Sequence, residues 1–475
     1  MAQAVTMSLV LTHGYFLADD AIEQRIMRPY PPLGLLSISA WLDRAGVAHH
    51  VVDATFLDAE RFVAQVRELR PRMMAFYVTL MTRRSVLRLI AALGGGEDGP
   101  VIVLGGPDVR HNAADYLSHG AHLLVVGEGE QTMTDVARLT PEACRDATAL
   151  AAIPGLIHAD AQGQPVFTGE RRFVPELDEL PEPARHRIDL QPYLKAWRGA
   201  HGQTSLNVST QRGCPYKCSW CSRAVYGTSY RRRSPQHVVA ELRSMVDRYA
   251  PDQFWFVDDV FTINHNWLAG FAEALDAAGL RIRYECITRA DRMNARVVEL
   301  LARTGCVRVW IGAESGSQRI LDAMQRQVRV EQVTAMIRAA SDAGIQTGTF
   351  LMLGYPGETE TDIVATERYL RAARPDLFTV TLAYPIRGTL FHDQVADQTT
   401  APPFDQGSDR DRRFPRTYSD DYYRHAVRLL THTHAVTTAR SPFGARALAH
   451  RAALWRSRLG MWWHRRHRMQ PHEQR

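Results

Sequence analysis

Lysine is nearly missing from this chain. Of its 57 basic residues only Lys195 and Lys217 are lysine, and the rest are arginine; coding bias is the first reading of that imbalance. A uniformly basic surface is missing too. The net charge is 57 − 51 = +6, but residues 437–475 hold nine Arg and one Glu, and without them 48 basic face 50 acidic residues, or −2. The body is near neutral and the basicity sits in the tail. No apolar run approaches the roughly 18 residues a membrane-spanning helix needs. The first ten residues show no positive segment before a short apolar core, which speaks against a secretory signal and for a cytoplasmic protein. With 45% hydrophobic and 23% charged residues the chain is not globally disordered. Six cysteines in 475 residues are too few for a disulfide scaffold. Three of the six, however, stand together at positions 214–221.

At roughly 150 residues per domain the length suggests about three units. Residues 1–149 alternate strand and helix, with strands expected at 7–13, 49–55, 72–80, 101–106 and 122–127 and helical patterns such as 35–44 and 85–93. Such alternation predicts an α/β fold with a doubly wound parallel sheet of the flavodoxin type. Ligands of such sheets bind beyond the carboxyl ends of the strands, which here carry Thr79-Leu80, Gly105-Gly106-Pro107 and Gly127-Glu128-Gly129-Glu130. Each glycine either ends a strand or lets backbone approach a bulky ligand; three consecutive glycine-bearing or polar ends favour a ligand.

Residues 150–203 read as a linker, broken by Pro165, Pro175, Pro181, Pro183 and Pro192. A second alternating series spans 204–395, with strands expected at 205–210, 253–258, 283–288, 307–313, 347–353 and 378–383. Six βα-type units predict a partial barrel whose chemistry collects at the C-terminal strand ends. Residues 396–475 form a helical, basic C-terminal region.

After the first barrel strand runs Arg212-Gly213-Cys214-Pro215-Tyr216-Lys217-Cys218-Ser219-Trp220-Cys221. A structural zinc site wants four ligands, usually as two separated pairs, and the nearest downstream histidine is His237. A 4Fe–4S cluster held by three thiolates leaves one iron open. The Cys-x3-Cys-x2-Cys spacing, with an aromatic before the last cysteine, resembles the signature of the radical S-adenosylmethionine (radical SAM) enzymes. The resemblance implies a 4Fe–4S cluster on Cys214, Cys218 and Cys221, with S-adenosyl-L-methionine on its open iron and a 5′-deoxyadenosyl radical as product. It further assigns Asp258 and Asp259 near the methionyl amine and Arg289 to the methionyl carboxylate. Glu314 and Ser315 fall to ribose and methionyl contacts, and Gly354 and Trp220 to the adenine.

The N-terminal half resembles one subgroup, radical SAM enzymes preceded by a cobalamin-binding domain, through Tyr30-Pro31-Pro32-Leu33-Gly34-Leu35, Gly105-Gly106-Pro107 and Val126-Gly127-Glu128-Gly129-Glu130. The cobalt-ligating Asp-x-His-x-x-Gly motif is missing, as in many of that subgroup, which puts Thr79, Leu80 and their neighbours up to Thr82 at the lower face of cobalt. Methyl transfer to an unactivated carbon through methylcobalamin is the implied reaction. The alternatives are a radical oxidative cyclase or ring-rearranging enzyme and, from another class, a non-catalytic nucleic-acid-binding protein with an inherited cluster. No specific nucleic acid is expected; the expected partners are a small-molecule or peptide substrate and an electron donor such as flavodoxin or ferredoxin. The Arg- and Trp-containing tail reads as a membrane-surface helix, equally as an electrostatic contact for nucleic acid, or as a solvated, poorly ordered end, the last being the blander account.

Overall fold

The computed structural model of the chain describes residues 8–94, 99–439, 441 and 444–465. Met7, the start of the first expected strand, and residues 466–475 of the tail lie outside the described residues.

The first sheet contains β1 (Leu9–His13), β2 (His49–Val52), β3 (Met73–Tyr77), β4 (Val101–Gly105), β5 (Leu123–Val125), β6 (Leu156–Ala159) and β7 (Pro165–Phe167), in the order β2-β1-β3-β4-β5-β6-β7. The first five strands are parallel, and β6 and β7 are antiparallel additions at one edge. Alternate residues feed opposite faces: Val10, Met74, Ile102 and Leu124 enter one core, and Leu9, Met73, Val101 and Leu123 the other. A sheet covered on both faces needs apolar residues at every position. Helices α1 (Leu33–Arg44), α2 (Arg83–Leu93) and α3 (Gly129–Ala137) supply part of that cover.

The segment expected as a linker is largely structured, since it supplies β6, β7 and helix α4 (Gln191–His201). Prolines did not prevent this because of where they fall. Pro165 is the first residue of an edge strand, where no N–H is required, and Pro192 occupies the first turn of α4, where the N–H has no partner anyway.

The second sheet is fully parallel, with six strands. They are β8 (Ser205–Val208), then, beyond a hairpin of β9 (Gln211–Arg212) and β10 (Arg231–Arg232), β11 (Gln253–Phe256), β12 (Tyr284–Thr288), β13 (Cys306–Glu314), β14 (Gln346–Leu353) and β15 (Leu377–Leu382). Helix α5 (Pro235–Tyr249) joins the hairpin to β11, and α6 (Glu360–Ala373) joins β14 to β15.

The tail is also a correction. Helix α7 (Asp420–Thr437) and helix α8 (Ala445–His464) pack together, and Leu454 and Met461 of α8 enter the barrel core. Arg458 pairs with the buried Glu367 of α6 at 3.0 Å. A solvated tail would need α8 to lack an apolar face; Ala447, Leu454 and Met461 provide one. Among the described residues no helix is long and apolar enough to cross a membrane.

The second sheet is locked to the former linker by charge. Glu241 of α5, fully buried, takes a hydrogen bond from Arg185 Nη1 at 2.6 Å and a second from Arg233, while Arg185 Nη2 reaches the Asn207 carbonyl at 2.8 Å. Burial alone would raise the Glu241 pKa; the two guanidiniums hold it below the ordinary range. Glu241→Ala leaves both cations uncompensated, and we expect a loss of about 3–5 kcal/mol in urea denaturation followed by tryptophan fluorescence. A loss below about 1 kcal/mol would place the pair among weakly contributing surface bridges.

Candidate cofactor site

Residues 213–230 form one loop between β9 and β10. The loop closes through Gly213, whose φ is +83° and whose added Cβ would run into the Ser229 carbonyl. Cys214, Cys218 and Cys221 all face a cavity of about 370 Å³, together with Tyr216, Trp220, Asp259, Arg289, Glu314 and Arg326. Cys218 is buried, and two guanidiniums point at its sulfur, Arg289 Nη1 at 3.6 Å and Arg326 Nη1 at 3.7 Å. Both donors are aimed at the sulfur that would ligate iron. Cys221 opens onto the cavity; burial by the surrounding protein, with Asp259 adding, pushes its thiol up to about 12.

Arg289 is fixed rather than free. Its Nε donates to Asp291 at 2.8 Å, its Nη2 donates to the Arg326 carbonyl at 2.6 Å, and its guanidinium lies 3.7 Å from the Tyr216 ring centre. Glu314 reaches the cavity through an unusual backbone: its φ is +64°, and the β13–β14 register shifts between Gly312 and Glu314. Left-handed geometry at a bulky residue is strained and turns that carboxylate inward. Burial pushes its pKa up, against the pull of Arg326 and Arg289.

Of the residues expected here, Trp220, Asp259, Arg289 and Glu314 join the three cysteines at the cavity, and Asp258, Ser315 and Gly354 do not line it. Asp258 is spent on the base of the hairpin: its Oδ1 accepts from the Thr210 and Gln211 N–H groups at 2.7 and 3.2 Å, and Arg232 stands 3.7 Å away. Ser315 is buried, 3.3 Å from the Thr366 hydroxyl and accepting the Ser317 N–H. Gly354 donates its N–H to Glu358 at 2.6 Å. Arg326 and Tyr216 escaped the sequence reading. Arg326 lies in a loop without a motif, and only the fold carries it to Cys218.

A second cavity, about 130 Å³, opens at the strand ends of the first sheet. Its wall includes Gly34, Gly105, Gly106, Gly127, Glu128 and Gly129, with Leu11, Leu35, Ile38, Val103 and Met133 as apolar lining. Thr79 and Leu80 lie outside it; the Thr79 N–H donates to the Thr82 hydroxyl at 3.0 Å within their own turn. Tyr77, Val225 and Tyr226 line both cavities, so the two spaces share a wall.

That wall is held by charge. Glu128 Oε1 meets Arg212 Nη1 and Arg231 Nη2, each at 2.9 Å; Glu128 Oε2 accepts from Arg231 Nη1 at 3.0 Å and from the Val174 N–H at 2.8 Å. Glu130 also pairs with Arg212. Burial would raise Glu128, but Arg231 and Arg212 hold it below the usual carboxylate range.

The donor sets suit the two expected groups. No three His, Cys, Asp or Glu side chains among the described residues converge as ligands of one metal ion. Three thiols spread along one cavity wall suit instead a cluster whose irons are ligated separately. On the other side, an added Cβ at Gly105 would meet nothing nearer than Val125 at 3.8 Å, so Gly105 leaves room that a side chain would fill.

The three-thiol cavity lies at the strand ends of the parallel second sheet, and the profile of the Radical SAM superfamily matches residues 208–370, which hold all three cysteines. The B12 binding domain profile matches residues 25–137. The chain belongs to the radical SAM superfamily, in the subgroup with an N-terminal B12-binding domain. An uncharacterized methyltransferase of Pyrococcus horikoshii is 24% identical over 378 residues, covering 78% of this chain and 80% of that protein. The anaerobic magnesium-protoporphyrin IX monomethyl ester cyclase of Cereibacter sphaeroides is also 24% identical, over 82% of this chain but only 64% of its own length. The radical S-adenosylmethionine methyltransferase TsrM from Kitasatospora setae, solved with cobalamin and a [4Fe-4S] cluster, superposes with a TM-score of 0.70 at 18% identity, covering 95% of this chain and 100% of its own. At that identity the likeness is one of fold.

Two outcomes follow from this geometry. Anaerobically reconstituted protein should hold about four irons, and replacing Cys214, Cys218 and Cys221 by Ala should remove iron and visible iron–sulfide absorption; full iron content in the triple variant would mean other ligands. Gly105→Phe should lose cobalamin after gel filtration while keeping its iron. Gly106 is the poorer probe, because its φ is +109° and an added Cβ collides with the Val78 carbonyl. Undiminished cobalamin in Gly105→Phe would place that group elsewhere.

Proposed function

We propose that this protein is a cobalamin-dependent radical SAM methyltransferase acting on an unactivated carbon of a small-molecule or peptide substrate. The observation that carries this reading is the shared wall: Tyr77, Val225 and Tyr226 border both the three-thiol cavity and the glycine-lined one. Bound there, the cluster with S-adenosyl-L-methionine supplies a 5′-deoxyadenosyl radical, and cobalamin supplies the methyl group.

The chain's own residues do the rest. Arg289 and Arg326 place positive charge beside Cys218 and at the wall where a methionyl carboxylate would dock. Asp259 and Glu314 present acceptors for a cationic amine and for hydroxyls. The Tyr77 and Tyr226 rings stand between the cavities, and burial pushes the Tyr226 phenol up to about 12. In this reading residues 1–149 hold cobalamin and 204–395 the cluster and S-adenosyl-L-methionine, while helices α7 and α8 close the outside of the barrel. The one-electron donor would be of flavodoxin or ferredoxin type.

Oxidative cyclisation is the second reading, favoured by the relative in Cereibacter sphaeroides. Anaerobic incubation with a reductant, methyl-labelled S-adenosyl-L-methionine and cell extract separates the two. Methyl transfer yields 5′-deoxyadenosine together with S-adenosylhomocysteine and a labelled product in the mass spectrum. Cyclisation yields 5′-deoxyadenosine without S-adenosylhomocysteine or label, and that result would replace the methyltransferase reading.

A further inference from the structure

Helix α8 is 20 residues long, about 30 Å, and has two apolar faces. One is packed: Ala447, Leu454 and Met461, with Ser457, are buried against the rest of the protein. The other faces solvent. Leu448, Ala452, Trp455, Leu459, Trp462 and Trp463 follow one another at helical spacings of four, three, four, three and one residues, which puts them on a single stripe. Their exposure is high for such side chains: Trp455 72%, Trp463 66%, Trp462 53%, Leu459 52% and Leu448 51%. Scattered apolar residues on a surface need no explanation, but a continuous stripe does.

We infer that this outer face of α8 docks on an anionic lipid surface, lying in its plane. Two features select that occupant. Indole rings prefer the boundary between headgroups and acyl chains, where an apolar ring and a polar N–H are both satisfied, and three of the large exposed side chains are tryptophan. The stripe is also flanked by cations: Arg451 borders it on the Trp462 side and Arg456 on the Trp463 side, both exposed. α8 and the residues that follow it carry no acidic residue except Glu473. A basic helix with an apolar face and no capacity to span is the pattern of an interfacial helix. The packed face matters equally, because Leu454, Met461 and the Arg458–Glu367 pair hold α8 on α6 and α7 and set the stripe outward without folding on the membrane. The inference stands apart from the proposed reaction, since no residue of either cavity lies on α8.

Co-sedimentation with vesicles tests it, using the full-length protein and needing no turnover. Wild type should sediment with phosphatidylcholine vesicles containing phosphatidylglycerol, less so as salt rises, and not with phosphatidylcholine alone. Arg451→Gln with Arg456→Gln should weaken partitioning roughly thirtyfold, from about 1 kcal/mol per cation near such a surface. Trp455→Ser with Trp463→Ser should abolish it, with the thermal melt and S-adenosyl-L-methionine cleavage both retained. Failure of wild type to sediment with anionic vesicles overturns the inference, as does unchanged binding by the Trp455→Ser, Trp463→Ser protein. A wild-type dimer in vesicle-free buffer that this variant converts to monomer would assign the face to a second copy of the chain and overturn it equally.

Discussion

One carboxylate governs the geometry between the two sheets. Glu128 ends β5's loop in the first unit, and both guanidiniums it binds belong to the hairpin that carries the cysteine loop. Arg212 and Arg231 are themselves paired across that hairpin, so the loop leaves and returns at a single anchored point. Three nearly buried charges of this kind are costly to desolvate, and removing Glu128 takes from Arg231 the carboxylate it pairs with, while Arg212 keeps Glu130. The arrangement therefore specifies position more than it adds stability. It sets where Val225 and Tyr226 sit, and through them how close the two cavities come.

Much of this was legible in the sequence, because the relevant signals are local. The cysteine spacing fits within one loop, and strand–helix alternation is periodic; the parallel sheets and the three cysteines on one cavity wall follow from those alone. The glycines at 105, 106, 127 and 129, which read in the sequence as strand ends facing a ligand, line the smaller cavity. What stayed hidden is long-range. Arg326 meets Cys218 across 108 positions, and Tyr77 and Tyr226 meet only when two separate sheets dock. Asp258 and Asp259 show the limit from the other side: adjacent carboxylates looked equivalent, yet burial and backbone donors tie one to the base of the hairpin and leave the other at the cavity. Prolines in 150–203 suggest a linker from sequence, yet Pro165 and Pro192 stand where no N–H is needed, so strand and helix form there.

The C-terminal region ties the molecule together at a different place. Asp409 receives Arg412 Nε at 2.9 Å, the Arg387 N–H at 2.9 Å and Arg83 at 3.3 Å, while Arg83 is bidentate to Asp108 at 2.8 and 2.9 Å. The last part of the chain thus reaches back onto the first sheet. One buried charge cluster, at Glu128, joins the first sheet to the cysteine-bearing hairpin, and a second, at Asp108–Arg83–Asp409, joins the same sheet to the C-terminal region.

The left-handed backbone at Glu314 has a consequence for protein engineering. A residue there with an ordinary side chain stores about 1–3 kcal/mol of strain, which glycine or asparagine would relax. Selection on melting temperature alone would therefore tolerate, or even reward, loss of a carboxylate that faces the cavity. Under the function proposed above, stability and function pull in opposite directions at this position, and a thermostabilised library that leaves it unguarded would drift toward well-folded sequences without that carboxylate.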